Sequence, residues 1–253
     1  MKFLTIVMVL LSAVAYADSS CDQMLSYGYP VVQVTTSNTI LCRLAYVVNY
    51  SSVTKDPVYS AEYLRKENIS TKLIRVNAFK ADPDLSPGKR AELSDYNKAF
   101  DRGHMTPFED VTVNSAAALQ SFYLSNMCPQ NLHLNRGLWR AIEDQTRAWA
   151  KGSSDGVYVI TGPIFGDSPY TIGHNRVAVP SKFFKIVIDK QHTQAIAFIV
   201  SNFTPIHTKS LKPYVVTVHD VEVATHINFT PTLLDTSNSL KTTIGQEFLQ
   251  SLK

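Results

Sequence analysis

Two stretches decide how this chain is read: "FDRGHMTPFED", Phe100 through Asp110, and "LSNMCPQNLHLNRGLWRAIEDQTRAW", Leu124 through Trp149. The first sets an acid, a base, a glycine and a histidine side by side, and two more acids follow. The second passes from a short apolar run into a helical pattern. Leu138, Ile142 and Trp149 recur on one side of it, and Glu143 and Arg147 stand four apart on another. At 3.6 residues per turn, positions 135, 143 and 147 fall within an arc of about 120°. One helix face can therefore present an amide, a carboxylate and a guanidinium while its neighbour buries Leu138. Taken singly, a histidine among charges is usually solvated, and a Glu/Arg pair four apart is usually a surface ion pair worth a few tenths of a kcal/mol. The joint spacing favours a site.

Outward from these stretches, "VVQVTT" (31–36), "TILCRLAYVVNY" (39–50), "VYVITGPIF" (157–165), "FFKIVID" (183–189), "QAIAFIVSNF" (194–203) and "YVVTVHDVEV" (214–223) are rich in β-branched and aromatic residues. Turn formers bound each of them, which predicts strands. Several are apolar on both faces, so helices are expected above and below a sheet. Helical pattern appears in "SAAALQSFY" (115–123), in residues 134–152 with a stop at Lys151-Gly152, and in "SLKTTIGQEFLQSL" (239–252). The turn-rich "KADPDLSPGKRAELSDYNKA" (80–99) predicts a long surface loop leading into the first motif. No repeat, low-complexity tract or Pro/Gly/Ser-rich linker divides the sequence, so one domain is expected over residues 18–253.

The first seventeen residues carry Lys2, an uncharged run from Phe3 to Val14 and an Ala-x-Ala pattern at Ala15–Ala17. This reads as an export signal, and predicts a secreted or periplasmic protein with no membrane attachment once the leader is removed. Its apolar run is short for a membrane span. Charged residues are 18% and apolar residues 45% of the chain, an ordinary globular balance, and the net charge of +3 neither requires nor excludes an anionic partner. Of the three cysteines after the leader, Cys21 and Cys42 are the economical pair to close, which leaves Cys128 as a buried, inert thiol in an apolar context. Cys128 and His133 offer two ligands where zinc needs more, so a zinc enzyme is rejected.

"DRGHM" (101–105), followed at this distance by the N-x-G-x-W and E-x-x-x-R elements of residues 135–147, closely resembles the signature of the DNA/RNA non-specific endonucleases, the ββα-metal nucleases. The resemblance runs from about Arg43 to Pro231. It implies an α+β fold with a mainly antiparallel central sheet and helices on both faces. It implies phosphodiester hydrolysis in DNA and RNA, leaving 5′-phosphate ends. His104 would be the general base, and a neutral imidazole suits that role. Asn135 would be the sole protein ligand of Mg²⁺, with Mn²⁺ as a substitute; a hard cation that keeps most of its waters needs few protein contacts. Glu143 would order those waters, and Arg102 and Arg147 would donate to the phosphate oxygens. Asn126 would hold the His104 region, Asp101 would serve structure, and Gly103 would let the backbone turn.

One position departs from the pattern. Related nucleases carry a further phosphate-binding arginine two residues before an aromatic; in "RVNAFKADP" that place is Asn77, and Arg75 stands two residues earlier. Arg75 is the candidate to take that role. Relatives of this kind often form homodimers, which adds a second copy to the candidate partners DNA and RNA. Two other functions remain open at this point: a nucleic-acid-binding protein without catalysis, and a phosphodiesterase acting on small nucleotides.

Overall fold

In the computed structural model, which describes residues 19–25, 27–32, 38–69, 72–203, 210–232 and 238–252, the apolar runs of the middle and late sequence lie side by side. Residues 1–17 and the expected strand residues 33–36 lie outside the described residues. Apart from the two-residue pairs Val31–Val32 with Ile227–Asn228 and Thr171–Ile172 with Val177–Ala178, the strands of the described residues are, in chain order, β1 (Asn38–Cys42), β2 (Val47–Ser51), β3 (Asp56–Leu64), β4 (Asp101–His104), β5 (Met127–Gln130), β6 (Val157–Ile164), β7 (Lys182–Asp189), β8 (Ala195–Ser201) and β9 (Val215–Val216). Seven of them form one sheet in the order β9-β8-β7-β6-β3-β2-β1, and every neighbouring pair is antiparallel.

Alternation along the central strands sorts the core into two layers. Val157 and Val159 of β6, Phe183 and Val187 of β7, and Ile196, Phe198 and Val200 of β8 face one way. There they meet Leu138, Trp139, Ile142 and Ala150 of a long helix and Phe248 near the C-terminus. Tyr158, Ile160, Phe184, Ile186, Ile188, Ala195 and Ala197 face the other way, against Val218 and Val221 of a second helix and Leu240. Helices thus cover both faces, as the doubly apolar strands predict. Cys21 and Cys42 are joined, tying the first described helix to the end of β1. Cys128 is free and buried.

Four elements differ from the sequence reading. The run 39–50 is not one strand: it folds back between Cys42 and Val47, with Arg43 N–H donating to the Tyr46 carbonyl, into the β1–β2 pair. Strand β3 escaped notice because Ser60 and Glu62 occupy its inward face, where alternation would demand apolar residues. The run 214–223 keeps only β9 as strand. From Val218 it becomes helix, because Thr217 and Asp220 form a reciprocal cap across the helix start. The C-terminal pattern splits into Asn238–Thr242 and Gln246–Gln250, separated at Gly245.

The topology sets aside one continuous part of the chain. Strands β1 to β3 form a meander, β6 to β9 form another, and β3 pairs directly with β6. Residues 65–156 leave the sheet at the end of β3 and return to it at the start of β6, and both opening motifs lie inside this excursion.

Candidate active site

Strands β4 and β5 pair antiparallel, Asp101 opposite Gln130 and His104 opposite Met127. The chain then enters helix α1 (Ser115–Gln120) within the connection between them, and after β5 the site helix α2 (Arg140–Gly152), which is preceded by the helical turns Leu132–Leu134 and Asn135–Trp139. Two strands followed by a helix are the frame of the site. The Gly103 expectation needs correction: Gly103 lies within β4, not at a turn. A Cβ there would fall 2.2 Å from Gln130 Oε1, so the glycine is required by close approach of a neighbouring side chain.

The helical entry is not continuous. Gly137 has φ −114° and ψ −105°, which breaks the helix into a wide turn between Asn135 and α2. The single wheel that brought 135, 143 and 147 onto one arc therefore does not apply across Gly137. The three residues still share one cavity of about 300 Å³, together with Arg75, Arg102 and His104. Wide turns of this kind commonly aim a side chain at functional sites. Asn131 caps the entry, and its own N–H is held by buried Asn202 at 2.8 Å.

Asn135 is fixed by an acid. Its Nδ2 donates to Asp101 Oδ2 at 2.9 Å, which leaves Oδ1 as the free acceptor of the amide. Arg136 grips the same carboxylate with Nε at 2.8 Å and Nη2 at 2.7 Å. Burial alone would raise Asp101, but the bonds from Arg136 and Asn135 outweigh it and hold the carboxyl below its ordinary range. The structural role expected for Asp101 thus has a definite form: it orients Asn135.

His104 lies against two rings, Phe122 at 5.2 Å edge-on and Phe79 at 5.6 Å. It is only 8% exposed, its Nε2 is buried without a hydrogen-bond partner among the described residues, and the residue lines the cavity. Burial, then the charges of Arg75 and Arg102, push its pKa down to about 3, and the imidazole is neutral at neutral pH. Asn126 does not line the cavity. It is fully buried, accepts from Thr106 N–H at 3.0 Å and donates to the Thr106 and Ser121 carbonyls, and so fixes the loop that leaves His104.

The arginines divide into held and open. Arg102 stacks over Phe79 at 4.3 Å. Arg75 reaches the cavity from its own position, over Phe108 and Phe122, with Nη1 3.1 Å from Glu109. Arg147 differs from the expectation of an open phosphate donor: Nη1 lies 2.7 Å from Asp110 and Nη2 2.6 Å from Asp144. Arg140, which belongs to neither sequence element, also lines the cavity. Its position seven residues before Arg147 was the available signal, since i and i+7 share a helix face.

Behind Glu143 lies a buried set of charges that sequence reading missed. Glu62, Asp110 and Lys185 are all at most 2% exposed, and Lys185 donates to Thr161 Oγ1 at 2.6 Å. Burial raises Glu62 well above its ordinary value, with Asp110 adding to it. Glu143 is pushed up to about 8, mainly by burial, against the pull of Lys185 and Arg147. Glu62, Asp110 and Glu143 thus lie near Lys185 and Arg147, with Glu143 and Arg147 at the cavity wall. A divalent cation in the cavity would favour the ionised form of Glu143, and the Asn135 amide oxygen with the Glu143 carboxyl is a hard-oxygen donor set that suits Mg²⁺.

A model of the DNA/RNA non-specific endonuclease family matches residues 24–236. The chain belongs to that family. This nuclease is 35% identical over 226 residues to Nuclease C1 of Cunninghamella echinulata var. echinulata, covering 82% of this chain and 87% of that protein. It is 31% identical over 242 residues to mitochondrial endonuclease G of Bos taurus, covering 90% and 79%. Its fold superimposes on that of EndoG in the crystal structure of the EndoG/EndoGI complex with a TM-score of 0.77 at 25% identity, over 87% of this chain and 95% of that one. The nuclease is accordingly a hydrolase of DNA and RNA with the ββα-metal fold, its central sheet antiparallel and flanked by helices. The relatives correct one expectation. Endonuclease G, EXOG and Nuclease 1 are mitochondrial, and this overturns the secreted or periplasmic location inferred from residues 1–17. Apolarity behind a basic residue does not fix a destination, because leaders are addresses read by receptors.

Proposed function

We propose that the nuclease cuts phosphodiester bonds by attack of a water activated by His104, in a cleft that holds one Mg²⁺ through Asn135. The observation that supports this reading is the Asp101 bond to Asn135 Nδ2, which leaves the amide oxygen as the acceptor on a residue that lines the same cavity as His104. Asn135 would hold the cation directly and Glu143 through water, with Mn²⁺ an acceptable substitute. When bound, Mg²⁺ supplies positive charge against the scissile phosphate and its leaving oxygen.

The chain's own groups do the rest. His104 takes the proton of the attacking water at the nitrogen facing the cleft. Its depressed pKa keeps it free to accept, and a phosphate lodged beside Arg75 and Arg102 offsets the two charges that lower it, strengthening the base when substrate arrives. Arg102 and Arg75 donate to the non-bridging oxygens, where negative charge grows as phosphorus becomes five-coordinate. Phe79 and Phe122 fix the plane of the imidazole. These contacts address phosphate and cation and leave base edges unread, which fits cutting without sequence preference. The family resemblance implies products with 5′-phosphate ends.

The test is digestion of plasmid DNA and of RNA with Mg²⁺ and with EDTA. Cleavage of both, abolished by EDTA, is expected; cleavage that survives the chelator overturns the metal. His104→Ala should lower turnover at least about a hundredfold, and near-normal turnover removes it as the base. Asn135→Ala should abolish Mg²⁺-dependent cleavage, and unchanged Mg²⁺ affinity by calorimetry refutes the ligand.

A further inference from the structure

We propose that Glu109 sets the affinity of the cleft for nucleic acid: it holds the Arg75 guanidinium while the cleft is empty and yields it to a backbone phosphate. This rests on the nuclease reading above. The short helical turn Phe108–Asp110 places two acids side by side, and each serves a different cavity arginine. Asp110 meets Arg147 Nη1 at 2.7 Å, with the two side chains 1% and 11% exposed. Glu109 meets Arg75 Nη1 at 3.1 Å, with the two side chains 47% and 40% exposed. Parting the first pair would strand a charge away from water, so that pair belongs to the frame of the site. A half-exposed pair gives little net energy, and it parts readily for a better partner.

The hold on Arg75 covers the donors that a phosphate needs. A guanidinium grips an oxyanion by parallel bonds from two of its nitrogens, along the edge that includes Nε or along the edge between the two Nη atoms. Asn77 Oδ1 lies 3.2 Å from Nε, and Glu109 Oε1 takes Nη1. Each edge therefore already carries a protein acceptor. Asn77 offers a neutral amide, whereas Glu109 brings a carboxylate into the cavity that it lines with His104 and Arg102. The Phe108 and Phe122 rings lie 5.6 and 5.3 Å from the guanidinium carbon, so stacking keeps Arg75 aimed once Glu109 lets go. Carboxylate and phosphate thus compete for one arginine, and the competition weakens substrate binding.

The experiment is a double-mutant cycle, read by fluorescence anisotropy of one labelled single-stranded oligonucleotide in EDTA at fixed salt. Parent, Glu109→Gln, Arg75→Ala and their double variant complete the cycle. Arg102→Ala, alone and with Glu109→Gln, is the control from the same cavity. Glu109→Gln should tighten binding about two- to fivefold, the scale of one part-exposed ion pair. Most of that gain should vanish in the Arg75→Ala background and persist in the Arg102→Ala background. An equal gain in both backgrounds would mean that Glu109 only repels the polyanion. No gain in the parent would mean that Arg75 is not competed for. Either result overturns the proposal. A protein that shows this coupling yet cuts nothing sinks the catalytic reading and keeps this one; a protein that cuts nucleic acid without the coupling sinks this one alone.

Discussion

His104 has to be dry enough to stay neutral and open enough to meet water, and the structure seats its ring on Phe79 and Phe122 at the wall of the cleft. That seat links folding to pH. In the unfolded chain the imidazole takes up a proton near pH 6.5, whereas in the folded protein it does so only near 3. Because the folded-state value is depressed, its contribution to stability is fully present above about pH 6.5 and drains away as pH falls toward 3. Between pH 7 and 4.5 this one group should remove about 2 to 3 kcal/mol. Urea midpoints for the parent and His104→Gln at both values check it: the variant should be less acid-sensitive, and parallel pH dependence would refute the burial argument. Residue by residue, the motif was legible because its chemistry depends on type and spacing. Arg140, Asp110, Glu62 and Lys185 were less so, since a lone charge says nothing about burial until its neighbours are known.

At the scale of elements, the β4–β5 ribbon is the stiff part of the site. It carries His104 at one end and Asp101 at the other, and its register depends on Gly103 lying flat against Gln130. Gly103→Ala would set a methyl 2.2 Å from Oε1 and 2.7 Å from Cβ of Gln130, which is fully buried. We expect it to destabilise the fold by about 1 to 3 kcal/mol, the range of overpacking, and to reduce cleavage by moving His104 relative to Asn135. Thermal melting and plasmid nicking measure the two effects. An undisturbed melting point would show that Gln130 can turn aside. The strands 157–164, 182–189 and 195–201 could be read directly because both faces are apolar. Strand β3 could not, because the polar residues on its inner face belong to the site and break the alternation. Val218–Thr225 was misjudged for the converse reason: β-branched content favoured strand, and a local cap decided for helix.

For the molecule as a whole, the sheet does more than support the site. Its face beneath α2 is largely apolar, interrupted by the buried polar residues Ser60, Glu62, Thr161 and Lys185, and Lys185 supplies a buried counter-charge for Glu143. Lys185→Met should therefore cost most stability where Glu143 is ionised, above about pH 8; urea midpoints at about pH 6 and about pH 9 measure it, and an equal loss at both would show that Glu143 does not depend on this cation. The Cys21–Cys42 bond closes a loop of 21 residues at the sheet edge, and removing it with Cys21→Ser and Cys42→Ser should cost about 3 kcal/mol by chain entropy. The covering of both sheet faces was legible from hydrophobicity. The direct contact of β3 with β6 was not, because nothing local in either strand specifies a partner nearly a hundred residues away.

That contact has a consequence for when cleavage can begin. All the residues proposed above to cut a phosphodiester lie in residues 65–156, yet Lys185 and Thr161, which meet beneath the site helix, come later in the chain. A polypeptide still emerging from the ribosome, or broken off ahead of residue 157, holds the histidine and the amide with no floor to set them on. A fragment ending ahead of residue 157 is therefore expected to lack cleavage activity.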